Sequence, residues 1–256
     1  MAVKYRNFWL SIFIAFLGAI YLMPVKITTS AEKSGKKTTQ QERTYKTKNG
    51  EYRYLLFLPE GYGKEKKLWP TILFLHGAGE RGNDLEKVKL HGPPKIVETQ
   101  KDFPFIVISP QCPKDDWWTD RPEIWMGLLD DVCKKYDVDK NRIYLTGLSM
   151  GGFGTWALAM DQPNQFAALA PICGRGDPKK AALIAHVPTW VFHGAKDTTV
   201  PLAGSQEMVD ALKAAGGDPK FTIYPDAGHD SWTATYDNPE FWSWLLAQRR
   251  GAAAQR

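Results

Sequence analysis

The pentapeptide Gly147-Leu148-Ser149-Met150-Gly151 carries the strongest chemical signal in the chain. The β-branched and aromatic run Arg142–Thr146 leads into it, and an apolar, helix-forming run over residues 152–160 follows. A G-x-S-x-G between strand and helix reads as a nucleophile elbow, in which glycines permit a tight, strained turn that lifts the serine hydroxyl above the sheet. A serine at a helix start also faces unpaired backbone N–H groups, which favour developing negative charge. Ser149 is therefore the candidate nucleophile.

A neutral serine hydroxyl reacts poorly without a general base, and the base needs an acid to orient it. The apolar run Thr189–His193 ends in Gly194-Ala195-Lys196-Asp197, and Phe221–Tyr224 ends in Pro225-Asp226-Ala227-Gly228-His229. Asp197 and His229 thus follow strand ends, on the edge where Ser149 is presented, and the order Ser, Asp, His suits an elbow of this kind. Asp226 is the rival acid and Asp197 could simply be a turn residue. Of the five histidines, His76 and His193 close apolar runs and read as loop supports, and His186 lies in no motif.

Acyl transfer also needs donors for an oxyanion. Met150 N–H, directly after the nucleophile, is one candidate. The other should come from His76-Gly77-Ala78-Gly79-Glu80-Arg81-Gly82, with Ala78 the first choice and Gly79 the second. Trp117 and Trp118, Trp232 and His91 lie in nearby loops, and Trp118, Trp232 and His91 are the candidate substrate contacts, although a chain with ten tryptophans also suits core packing.

Strands expected at Tyr52–Leu58, Thr71–His76, Phe105–Ser109, Arg142–Thr146, Phe166–Pro171, Thr189–His193 and Phe221–Tyr224 must position these groups. Helical stretches are expected around 86–99, 122–135, 151–160, 201–215 and 238–248. Such alternation implies an α/β fold with a mainly parallel central sheet flanked by helices, whose ligands sit beyond the carboxyl ends of the strands. The interval between the strands ending at Pro171 and starting at Thr189 is too short for a large cap domain, so the longest excursion, 77–104, should line the site.

The 256 residues carry a formal net charge of +5, with 33 Lys and Arg against 28 Asp and Glu. That charge would suit an anionic partner, but residues 1–48 hold nine of the basic residues and only Glu32 and Glu42, a local charge of +7. The rest of the chain nets −2, so nucleic acid is not an expected partner. Lys4 and Arg6 precede an apolar run, Phe8 to Met23, shorter than the roughly 20 residues of a membrane span. Residues 1–31 read as a signal peptide, or an anchor if uncleaved, and the protein as exported to the periplasm or medium. Membrane contact is expected only through this segment. A polar linker is expected over 32–44, a catalytic domain over 45–248 and a tail over 249–256. Cys112, Cys133 and Cys173 allow at most one intramolecular disulfide. No zinc-, dinucleotide- or P-loop motif is present, so neither a metal nor another cofactor is expected.

LFLHGAGERG, FIVISPQCP, RIYLTGLSMGG, WVFHGAKDTTVP and YPDAGHDSW resemble the α/β-hydrolase superfamily over nearly all of residues 45–248. Within it the chain is similar to small exported bacterial carboxylesterases of the feruloyl-esterase-like, polyhydroxybutyrate-depolymerase-like and phospholipase/carboxylesterase-like kinds, some labelled predicted peptidases. The resemblance implies the α/β-hydrolase fold, the triad Ser149, Asp197 and His229, and hydrolysis of short-acyl or feruloyl-type esters, free or borne on a polymer. Dienelactone hydrolases share the architecture but use a cysteine nucleophile, where this chain has serine. A peptidase or amidase of the same fold is the alternative, although prolyl-oligopeptidase relatives usually carry a propeller domain with no counterpart here. A non-catalytic binding module is a third reading.

Overall fold

The computed structural model describes residues 40–64 and 66–251. The expected signal or anchor segment lies outside the described residues, as does the linker up to residue 39.

Among the described residues, eight strands form one sheet: β1 (Gln40–Thr47), β2 (Gly50–Phe57), β3 (Trp69–Leu75), β4 (Ile106–Pro110), β5 (Val138–Leu148), β6 (Ala168–Ile172), β7 (Trp190–Gly194) and β8 (Lys220–Tyr224). Their spatial order is β1-β2-β4-β3-β5-β6-β7-β8. β1 and β4 pair antiparallel with β2, and every other neighbouring pair is parallel, so β2 alone runs against the rest. β3, β4, β6 and β7 are buried throughout, as strands covered on both faces must be.

Among the described residues, six α-helices cover the sheet: α1 (Gly92–Ile96), α2 (Pro122–Lys135), α3 (Met150–Asp161), α4 (Ala203–Ala214), α5 (Trp232–Tyr236) and α6 (Pro239–Ala247). The pleat sends alternate residues to opposite faces. Leu73, Leu75 and Leu145 join α2, α3 and α4 in one core, through Trp125, Leu129, Trp156 and Met208. Ile72, Phe74 and Tyr144 join α5 and α6 in the other, through Tyr236, Phe241 and Leu245. The link from β6 to β7 holds only a short 3-10 helix, Pro178–Leu183, and among the described residues no large cap domain covers the strand ends. β6 meets β7 more sparsely than other neighbours meet, through the pair Ile172 and Phe192 and a bridge between Leu169 and Thr189.

Three expectations are corrected. Residues 40–44, assigned to a linker, begin β1, which pairs with β2 along its whole length from Gln40 opposite Phe57 to Thr47 opposite Gly50. An edge strand leaves most side chains in water, so its sequence lacks the apolar alternation of the inner strands. The helix expected over 86–99 splits into a 3-10 helix, Leu85–Leu90, and α1, because Pro93 and Pro94 lack the N–H groups a continuous helix would use. Residues 249–251, assigned to a tail, are tied down: Arg250 N–H donates to the Asn141 carbonyl at 2.9 Å, and Arg249 lies 3.3 Å from the Asp139 carboxylate.

Candidate active site

β5 runs directly into Ser149, which occupies the N-cap position of α3 with φ 53° and ψ −118°. A non-glycine residue in that region is strained and persists only where its surroundings hold it. Ser149 N–H donates to the Ile172 carbonyl at 3.0 Å, and its own carbonyl accepts from Gly152 and Phe153 N–H. The start of α3 is pressed so closely onto the end of β3 that a methyl group on Gly151 would overlap the Leu75 carbonyl. This close approach explains the glycine after the nucleophile.

The loops after β7 and β8 approach Ser149 together. Lys196 N–H donates to the Ala227 carbonyl at 2.9 Å, and a side chain on Gly194 would strike the Gly228 carbonyl. On this scaffold His229 Nε2 lies 2.9 Å from Ser149 Oγ, and His229 Nδ1 lies 2.8 Å from Asp197 Oδ2. The Asp197 side chain is fully buried and that of His229 is 23% exposed. Asp197 Oδ1 accepts from Thr199 N–H at 2.8 Å and Val200 N–H at 2.9 Å. Burial alone would raise the Asp197 pKa, but the hydrogen bonds from His229, Val200 and Thr199 outweigh it and hold the carboxyl below its ordinary range. Asp226, the rival acid, is 90% exposed and pairs with Lys196. His193 is buried between Ser205 Oγ and the Val200 carbonyl, bracing the Asp197 loop.

Ala78 and Gly79 begin a short 3-10 turn just beyond β3, and Met150 is the first residue of α3. First-turn N–H groups have no partner inside their own helix. A methyl group on Gly77 would lie 3.7 Å from Ser149 Cβ, so this loop passes directly beside the serine. His76 anchors it from below: Nδ1–H donates to the Gly77 carbonyl at 2.6 Å, and Nε2 accepts from Cys112 N–H at 3.0 Å. Burial lowers the His76 pKa to about 4, which keeps the ring neutral for this pair of bonds.

The aromatic candidates divide. Trp118 is corrected: it is 0% exposed, and its Nε1–H donates to the His76 carbonyl at 2.9 Å, so it supports the loop from inside the core and cannot touch a substrate. Its neighbour Trp117 is 41% exposed and lies edge-on to Phe153 at 6.4 Å. Trp232 is partly buried, with its ring 5.3 Å from that of His229 and 5.5 Å from that of His91. His91, Trp232 and His229 thus form one continuous wall.

Three further features had no motif to announce them. A cavity of about 470 Å³ lies beside the Asp197 loop, lined in part by Phe153, Arg175, Val200 and Pro201. Glu80 lies buried under the Gly77 loop. Cys173, at φ 40°, sits beneath the hydrogen-bonded chain, where one donor atom from each of Cys173, Asp197 and His229 falls within 4.8 Å of the others. Burial pushes the Cys173 thiol up to about 12, so it stays protonated, and His229 Nδ1 is already bonded to Asp197. That donor set is poorly suited to a metal, which requires a thiolate. All three cysteines are free.

Comparison with known proteins agrees with this architecture. A model of the Dienelactone hydrolase family matches residues 124–243, a segment that contains Ser149, Asp197 and His229. A thermostable esterase of known structure superposes with a TM-score of 0.73 and 34% identity, covering 83% of this chain and 64% of its own. The chain has the α/β-hydrolase fold. Several of the proteins it is similar to carry ester-hydrolase names. A poly(3-hydroxyoctanoate) depolymerase of Pseudomonas fluorescens is 26% identical over 200 residues, 65% of this chain and 70% of the relative. A probable feruloyl esterase C of Aspergillus terreus is 26% identical over 176 residues, 64% of this chain and 62% of the relative.

Proposed function

We propose that this α/β-hydrolase is a serine carboxylesterase. The observation that carries the reading is the unbroken hydrogen-bond chain from Ser149 Oγ through His229 to Asp197. Ser149 attacks the ester carbonyl while His229 Nε2 takes its proton, and Asp197 holds the ring and stabilises the imidazolium that forms. The developing oxyanion is received by the N–H groups of Met150 and Ala78, with Gly79 next in the same turn. His229 then gives its proton to the departing alcohol, and water, activated by the same nitrogen, releases the acid from Ser149.

A site without a large cap suits short acyl groups or esters borne on a polymer. Phe153 follows Ser149 by about one helical turn, and with the exposed Trp117 it offers an aromatic surface for a feruloyl-type acyl group. The names of the depolymerase and feruloyl esterase relatives point to the same substrate range. Residues 1–31 are proposed to direct export, which would deliver the enzyme to such esters outside the cytoplasm.

Ser149→Ala tests the mechanism. It should reduce hydrolysis of p-nitrophenyl butyrate by about 10⁴-fold or more and abolish labelling by a fluorophosphonate, with an unchanged circular dichroism spectrum. Retained turnover in the folded variant would refute the assignment.

A further inference from the structure

Glu80 is a buried carboxylate without a partner in the wall of the active site. Its side chain is 10% exposed, and its fully buried Oε2 accepts no hydrogen bond. His76, 3.9 Å away, has no proton to offer, because Nδ1–H is committed to the Gly77 carbonyl and Nε2 accepts from Cys112. Arg81, next in sequence, turns its guanidinium to the carbonyls of Ala78 and Asp116. Glu80 Oε1 faces His91 Nε2 at 3.9 Å, too far for a direct hydrogen bond. Leaving a carboxylate buried and unmet is costly, and such a group calls for a cause.

Oε2 is sealed against the Gly77 loop, so an outside donor must reach the carboxylate at Oε1, and the position of the group suggests which donor that is. A methyl group on Gly77 would lie 3.1 Å from Glu80 Oε2 and 3.7 Å from Ser149 Cβ, so carboxylate and serine flank the same backbone point. From the other side the wall runs from His229 to Trp232 to His91 in ring-to-ring steps of 5.3 and 5.5 Å. His229 Nε2 is the atom that must protonate the departing alcohol, so the alcohol half of the ester lies along this wall. Two atoms 3.9 Å apart can both hydrogen-bond one oxygen placed between them. That oxygen must donate to Glu80 Oε1 and can accept from His91 when its proton is on Nε2, a pairing available to a hydroxyl group.

We propose that Glu80 and His91 form a hydroxyl-binding subsite for the alcohol half of the substrate, which is an ester of a polyol, such as a glycerol or sugar unit, in preference to a simple alkanol. The proposal rests on the serine carboxylesterase reading. A site that must satisfy a buried charged acceptor discriminates strongly against an analogue lacking the hydroxyl.

The test compares kcat/KM for 1-monobutyrylglycerol and n-propyl butyrate, each normalised to its alkaline hydrolysis rate and followed by pH-stat titration. The unsubstituted enzyme should favour the glycerol ester by about 100-fold. Glu80→Gln, which preserves shape, should cut that ratio by about 10-fold, since it exchanges a charged acceptor for a neutral one. His91→Phe should lower the ratio as well. A ratio near one in the unsubstituted enzyme, or one that survives both substitutions because the two esters slow equally, overturns the subsite. No turnover of either ester or of p-nitrophenyl butyrate, with no fluorophosphonate labelling, overturns the esterase reading itself and the subsite with it.

Discussion

Replacing Asp197 by Asn should separate catalysis from folding. Asp197 Oδ1 accepts two backbone N–H groups, from Thr199 and Val200, and Oδ2 accepts His229 Nδ1–H. An asparagine oxygen can retain only one of these roles, and the two backbone donors hold it, so the amide NH₂ must face His229. A donor there forces His229 to accept on Nδ1 and carry its proton on Nε2, where it can no longer take the proton of Ser149. Loss of the correct tautomer costs about 10⁴-fold in rate, or about 5 kcal/mol of barrier. Stability should change by less than about 1 kcal/mol, because the loop bonds survive. Asp197→Ala should be similarly inactive, but it also strands the partly buried Val200 N–H and empties the acceptor position, for about 2 kcal/mol of lost stability. Steady-state kinetics on p-nitrophenyl butyrate and urea denaturation of both variants supply the assay. A value of kcat/KM for Asp197→Asn above a tenth of the original would refute the tautomer argument. Equal destabilisation of the two variants would refute the assignment of Oδ1 to the loop.

Other outcomes follow from the same geometry. Trp118→Phe should lose about 2 kcal/mol, or some 4–8 °C in melting temperature, with KM unchanged; a raised KM with full stability would restore Trp118 as a substrate contact. Iodoacetamide at pH 8 should leave the folded enzyme active, because burial first, and nearby carboxylates second, push the Cys112 thiol up to about 12 and that of Cys133 to about 11, while Cys173 rises to about 12. Rapid inactivation would show that a cysteine takes part in the reaction. Asp197 and Asp139 both have folded-state pKa values below the ordinary 3.8, through hydrogen bonds that outweigh burial. Their stabilisation is therefore complete above that value and is lost as pH falls through the lower folded values. The urea midpoint should drop steeply below about pH 4, and less steeply in Asp139→Asn; an unchanged acid slope in that variant would contradict the sign.

The sheet was largely legible because buried parallel strands read as continuous apolar runs, and each chemical group follows one of them. Ser149, Asp197 and His229 could be placed on one edge by that rule alone, before any distance was known. β1 was illegible for the opposite reason, since QQERTYKT faces mostly water; its one local signal is Asn49-Gly50 at the hairpin turn. Pro93-Pro94 already argued against the helix expected over 86–99. Trp118 and Glu80 show a deeper limit. A large aromatic in a loop reads as a surface contact and a glutamate as solvated, yet the first turns under the Gly77 loop and the second is trapped between His76 and His91. Such orientations come from tertiary packing, which no local pattern encodes.

The light stitching between β6 and β7 has a mechanical consequence. Ser149 rides on β5, on one side of that seam, while Asp197 and His229 ride on β7 and β8, on the other. The bond from His229 to Ser149 therefore crosses the seam, and slippage of one half against the other by an ångström would break it. A displacement of that size costs about 10² in rate, so the turnover number acts as a strain gauge for the sheet and should report loosening at β6 and β7 well before unfolding.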